Sequence, residues 1–157
     1  VPRTSAGLLL YRRTDAGLEV LLGHMGGPFW ARRERAWSVP KGEPDPGEED
    51  LHAVAVREFT EELGTPPPAS PVEDLDLGTV RQGGGKVVRA WAREGSFDET
   101  GARSNLVEVE WPPGSGRRLE VPEIDRAAWF APDEARRVVV AAQAELVDRL
   151  VEAVGGR

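Results

Sequence analysis

Three glutamates, Glu58, Glu61 and Glu62, lie in the segment REFTEELG (57–64), behind Arg57 and ahead of Gly64. At about 100° per residue, their i, i+3, i+4 spacing gathers the carboxylates into an arc of about 100° on one side of a helix. Val56, Phe59 and Leu63 fall on another side. Like charges this close cost a helix roughly a few tenths of a kcal/mol each, so the turn is unfavourable unless a cation offsets the repulsion. A divalent metal does so, and hard carboxylate oxygens suit Mg²⁺, which completes its shell with waters and substrate phosphates. An isolated trio of this kind also fits a solvated helix face. The upstream segment PKGEPDPGEEDLHAVAV favours the first reading, because it adds a glycine-containing turn and further acids at a fixed distance.

From Gly42 to Thr65 the chain resembles the Nudix box, whose pattern is G-x5-E-x7-R-E-U-x-E-E-x-G-U with U apolar. Gly42, Arg57, Glu58, Phe59, Glu61, Glu62 and Gly64 take their places in it. Two departures stand out. Five residues on from Gly42 lies Glu48, but seven residues back from Arg57 lies Glu49, so the box carries one extra residue and its early glutamate is either of the two. If the insertion lies in the turn, helix phase favours Glu49 facing Arg57. Thr65 stands where an apolar residue is usual, just before Pro66.

The resemblance implies metal-dependent hydrolysis of a nucleoside diphosphate linked to another group, with Mg²⁺, or Mn²⁺ in its place, as cofactor. It implies Glu58, Glu61 and Glu62 as metal ligands together with the Gly42 carbonyl, and Glu61 as the group that holds or deprotonates the attacking water. Arg57, about 100° round the helix from the ligands, is expected to pair with Glu49 or Glu48 and orient loop and helix. Glycine at 42 is expected to permit a tight turn. In VPEIDRAAWF (121–130), Glu123 precedes Trp129 by six residues, which resembles a late Nudix strand and implies an extra ligand or general base at Glu123. Lys41 is placed to meet a phosphate. The entry Trp37-Ser38-Val39-Pro40-Lys41-Gly42 is similar to that of members acting on diadenosine polyphosphates and diphosphoinositol polyphosphates. It points to a dinucleoside polyphosphate such as diadenosine tetraphosphate, with Trp37 at the substrate. Alternatives are a nucleoside triphosphate or diphosphoinositol polyphosphate pyrophosphohydrolase, or a domain that senses a nucleotide without turnover. Longer stretches, including GGPFWAR and SNLVEVEWPPGSGR, are similar to a bacterial group of nucleotide pyrophosphohydrolases.

Composition bounds these readings. A chain of 157 residues suits one domain with one core, here residues 1–157 with the box at 42–65. The absence of cysteine excludes disulfides and thiolate metal sites. His24 and His52 are too few for a histidine-rich centre. A net charge of −7 argues against a nucleic-acid partner, which needs a basic stripe. It leaves room for a small nucleotide or polyphosphate, for which Arg12, Arg13, Arg32, Arg33 and Arg35 offer clustered cations. Apolar runs are too short to span a bilayer and no signal peptide is visible, so a cytoplasmic enzyme is expected, with its oligomeric state open.

The elements that must position these residues alternate strand and helix. Ala6–Arg12 and Leu18–Gly23 read as a hairpin about Thr14-Asp15-Ala16-Gly17. Gly26 to Ala36 reads as a loop, and Trp37–Pro40 as an extended piece delivering Lys41 and Gly42. The acidic helix begins near Glu49 or Asp50, where acids suit the positive end of the dipole, and stops at Gly64 and Pro66. Leu75–Arg81 and Val87–Arg93 form a second hairpin. Leu106–Trp111 alternates as a half-buried strand, and one final helix is expected from about Pro132 to Val154. The resemblance implies an α/β/α sandwich around a mixed sheet. Phe29, Trp30, Trp91 and Trp111 are candidates for stacking a base.

Overall fold

The computed structural model describes residues 3–155. Its centre is the run Leu8-Leu9-Leu10, fully buried in strand β1 (Arg3–Thr14). A strand alternates its side chains between two faces, so a continuous apolar run requires cover on both. Ala6, Leu8 and Leu10 pack with Val54, Ala55, Phe59 and Leu63 of helix α1 (Leu51–Leu63). Leu9 and Tyr11 face the opposite layer, where Ala135 of α2 (Pro132–Val138) and Leu146, Val147 and Leu150 of α3 (Ala144–Val154) are buried. The result is the expected α/β/α sandwich.

The sheet between the layers is mixed. Strands β2 (Gly17–Met25) and β1 form the expected hairpin, in antiparallel register through Thr14↔Gly17. On the other side, β1 pairs in parallel with β6 (Lys86–Glu94), which is antiparallel to β5 (Leu75–Arg81). Two short strands, β3 (Trp37–Ser38) and β4 (Lys41–Gly42), pair antiparallel with β2 and β1 respectively. The segment 37–42 thereby crosses the top of the sheet and is tied to two of its strands. The strand β9 (Ile124–Phe130) runs antiparallel beside β2.

One element differs from expectation. The last helix is broken: Val139 and Val140 are extended, and a single 3₁₀ turn at Ala141–Gln143 leads into α3. Val139 is fully buried and bridges Trp37, while the Val140 N–H donates to the Trp37 carbonyl. Pairing with that strand outweighs helix continuation through the β-branched run Val138-Val139-Val140. Strand β7 (Leu106–Glu110) does not join the main sheet; it forms a two-stranded ribbon with β8 (Arg118–Pro122). No helix among the described residues is long and apolar enough to cross a membrane.

Candidate active site

Asp50 caps α1, its carboxylate accepting from the N–H groups of His52 and Ala53, and Gly64 ends the helix with φ 86°. Glu48 and Glu49 therefore both precede the helix, and helix phase constrains neither. The turn before the cap brings Glu48 to Arg57, whose Nε and Nη2 donate to its two oxygens at 2.9 and 2.6 Å. Glu49 is exposed. The expectation that Glu49 faces Arg57 is corrected accordingly. Arg57 also donates to Glu58 at 2.9 Å, to Glu61 and to the Glu43 carbonyl, so one guanidinium joins the loop to the helix.

The three helical glutamates occupy different environments. Glu61 has a side chain 45% exposed, Glu58 is half-buried, and Glu62, at the edge of the apolar face, is 5% exposed. Gly42 does not serve a left-handed turn; it lies in β4, and a Cβ built on it would overlap the Glu58 carboxyl. Glycine is needed there so that the carboxylate can lie against the strand. Next to it, the Lys41 N–H donates to Glu62 at 3.2 Å. Burial, then a hydrogen bond to Glu123, push the Glu62 carboxyl well above the usual range. Burial and the charge of Glu61 also raise Glu58, while burial lowers the Lys41 ammonium against the pull of Glu62.

Glu123 reaches this cluster because its backbone is clamped between loop and ribbon. Its N–H donates to the Asn105 carbonyl, its carbonyl accepts from Gly26, and Ser104 Oγ both accepts from and donates to Ile124. Lys41, Gly42, Glu58, Glu61, Glu62 and Glu123 thus line one cleft of about 510 Å³. Val107, Val109 and Val121 of the ribbon form its opposite wall.

Two expected substrate residues lie elsewhere. Arg12 is six residues along β1 from Ala6, the partner of Gly42, or about 20 Å at the rise of a strand. Its Nε donates to Glu19 at 2.9 Å and its guanidinium stacks 3.9 Å from the Trp129 ring centroid. Trp37 packs edge-on between His24 and Phe130 on the α2/α3 face and does not line the cleft. Of the other clustered arginines, Arg13 donates to the Val154 carbonyl, Arg33 to that of Phe29 and Arg35 to those of Arg136 and Val139.

Sequence reasoning missed Ser5, Lys86 and Gln143. Ser5 and Lys86 line the cleft because β1 and β6 pair in parallel and bring the starts of both strands to the same edge. The basic residue after the Gly83–Gly85 turn was visible, but nothing local announced its parallel partner. Gln143 is fully buried; its Oε1 accepts from the Val39 N–H at 2.8 Å and its Nε2 donates to Ser38 and Gln82. It braces the segment that delivers Lys41.

A family model for the NUDIX domain matches residues 1–150. The chain belongs to the NUDIX family. The NUDIX domain of Shewanella oneidensis NrtR, solved with ADP ribose, is similar in fold, with TM-score 0.67 and 18% identity over 98% of this chain and 89% of that one. A C. elegans Ap4A hydrolase in a binary complex gives TM-score 0.65 and 21% identity over 98% and 99%. A Nudix hydrolase from M. smegmatis, RenU, gives 0.58 and 22% over 98% and 86%. Comparison with curated proteins gave no match.

NUDIX hydrolases generally use divalent metals such as Mg²⁺, and the donor set here fits such an ion by its chemistry. The acids of the cleft offer hard carboxylate oxygens, crowded enough that burial and mutual repulsion raise Glu58 and Glu62. As the side chains stand, no three acids among the described residues converge as a ready-made cage. Arg57 engages both Glu58 and Glu61, so a cation entering the cleft competes with that guanidinium for them.

Proposed function

We propose that this protein hydrolyses a phosphoanhydride bond in a nucleoside diphosphate linked to a further group, with a dinucleoside polyphosphate such as diadenosine tetraphosphate as first candidate. The observation that carries the reading is the meeting of box acids Glu58, Glu61 and Glu62 with Glu123 and two lysines in one cleft. The likeness of fold to an Ap4A hydrolase supports the choice of substrate. Glu58, Glu61 and Glu62, with the Gly42 carbonyl, are the residues that would hold Mg²⁺ or Mn²⁺. Such an ion, when bound, supplies neutralisation of phosphate charge and a more acidic water.

The remaining work falls to the chain. Lys41 and Lys86 bind phosphate oxygens at the cleft edge. Glu61, exposed at the mouth and oriented by Arg57, accepts the proton of the attacking water. Glu123, hydrogen-bonded to Glu62 across the cleft, serves as a further ligand or general base. Residues 1–157 act as one domain in this scheme.

A product-resolved screen with Mg²⁺, then with chelator, tests it on diadenosine polyphosphates, nucleoside triphosphates, ADP-ribose and diphosphoinositol polyphosphates. Chelator-sensitive conversion of diadenosine tetraphosphate to ATP and AMP is the expected result. Cleavage of another compound moves the substrate and keeps the chemistry. Binding without cleavage of any compound overturns the reading in favour of a nucleotide sensor.

A further inference from the structure

Beyond the acidic cleft lies a second cavity of about 270 Å³ with a different lining, where Phe29 and Trp30 from the loop after β2 face Val109, Trp111 and Pro113 of the ribbon. The two spaces share Gly26, Trp30 and Val109 in their linings and so lie side by side. Among the described residues lining the acidic cleft, Trp30 is the aromatic one. Charged groups suited to phosphate and rings suited to a flat apolar group are therefore segregated between two adjacent spaces.

The rings are held in place. Phe29 and Trp30 meet edge to face with centroids 5.0 Å apart, and the Arg33 guanidinium lies 4.0 Å from the Phe29 ring while Nε donates to its carbonyl. Across the cavity, Glu110 accepts from the N–H groups of Gly114 and Gly116 at 3.2 and 2.8 Å, and the Trp111 N–H donates to the Arg117 carbonyl at 3.0 Å. The turn carrying Trp111 is thus braced from both ends. Gly26 lies so close to β8 that a Cβ on it would overlap the Pro122 carbonyl, which seats the loop against the ribbon. Phe29 nonetheless remains 47% exposed. A rigid, partly open aromatic pocket of this kind suits stacking of a planar ring.

We infer that this cavity is a base-binding subsite in which Trp30 and Trp111 stack a nucleobase whose phosphates extend into the acidic cleft. The inference rests on the proposed hydrolysis for the placement of those phosphates. It also narrows the substrate class, because a diphosphoinositol polyphosphate has no π face to offer these rings, whereas every nucleobase has one. Stacking tolerates different bases, so the subsite selects for a base rather than for one particular base.

Two experiments on the full chain test it. The first follows tryptophan fluorescence in chelator while AMP or ribose 5-phosphate is added. AMP is expected to change the signal and ribose 5-phosphate to leave it flat; equal response to both, or none to AMP, overturns the inference. The second compares kcat/KM for ATP or diadenosine tetraphosphate with that for inorganic tripolyphosphate. Trp111→Ala is expected to lower the ratio by about tenfold to a hundredfold, and Trp111→Phe to restore most of it. Nucleotide hydrolysis whose preference over tripolyphosphate survives Trp111→Ala sinks the subsite and leaves the hydrolase reading standing. An AMP signal lost in Trp111→Ala, in a protein that cleaves nothing, does the reverse.

Discussion

Arg57 and Glu48 form a two-point ion pair across the start of the acidic helix, with Nε to Oε2 at 2.9 Å and Nη2 to Oε1 at 2.6 Å. The same guanidinium reaches Glu58 and Glu61. Loop and acids are consequently held by one side chain, so the pair is expected to act on turnover by position. Glu48→Gln is expected to lower kcat/KM by about 10- to 100-fold, while Glu49→Gln stays within about twofold. Steady-state kinetics on the two variants decide it; the opposite ranking would return the early box role to Glu49.

Gly42→Ala should separate stability from activity. The added methyl collides with the end of a flexible side chain, the Glu58 carboxyl, which can swing away at little cost to the fold. Displacing a group in the reacting cluster by about 1 Å can cost about 100-fold in rate. A thermal midpoint close to wild type with turnover reduced about 100-fold is the expected pattern. A collapsed midpoint would show that the strand, not Glu58, required the glycine.

Glu61→Gln is expected to fold normally, since its side chain is 45% exposed, and to lose at least about 100-fold in turnover, the low end for removal of a general base. Circular dichroism and product assays together check both halves. Wild-type turnover in this variant would remove Glu61 from the proton-transfer role.

Glu62 should make the chelated protein less stable as pH rises. Burial, then its bond to Glu123, raise its native pKa above the unfolded value of about 4.3. The native state therefore binds the extra proton, and the associated stability is complete below the unfolded value and lost as pH climbs through the raised native one. Denaturation midpoints from pH 5 upward should fall more steeply in wild type than in Glu62→Gln. Adding Mg²⁺ should release protons, because a ligating carboxyl must give its proton up; calorimetry in buffers of different ionisation heat reads this directly, and no buffer dependence would count against the assignment.

The legible parts of this fold are those in which neighbours in sequence decide the outcome. Leu8-Leu9-Leu10 announces a strand buried on two faces, Thr14–Gly17 its hairpin, and Gly64 the end of α1. The acids of the box could be grouped from spacing alone. Their separate environments could not, because Glu62 is buried only once the helix is docked against β4 and Glu123. Lys86 depends on a parallel pairing between strands more than eighty residues apart in sequence. Val139 left its helix for a bridge to Trp37, a contact no local periodicity encodes. Arg12 and Trp37 were placed at the substrate from clustering and resemblance, and packing against Trp129 and Phe130 took them elsewhere.

Gln143 offers a test of how the far half of the chain supports the cleft. Gln143→Ala strands the buried Val39 N–H and removes the bonds to Ser38 and Gln82. A loss of about 2–4 kcal/mol in unfolding free energy is expected from an unsatisfied buried donor and the space left behind. Chemical denaturation measures it; a loss below about 1 kcal/mol would mean that Val39 finds another partner.

The β7–β8 ribbon has its own sheet and meets the rest of the molecule near Gly26, Ser104 and Glu123. No residue of its turn, from Trp111 to Arg117, lines the acidic cleft. Ring identity along the ribbon can therefore drift while the acids stay unchanged, and the hairpin is separable from the acidic helix in the manner of an exchangeable cassette.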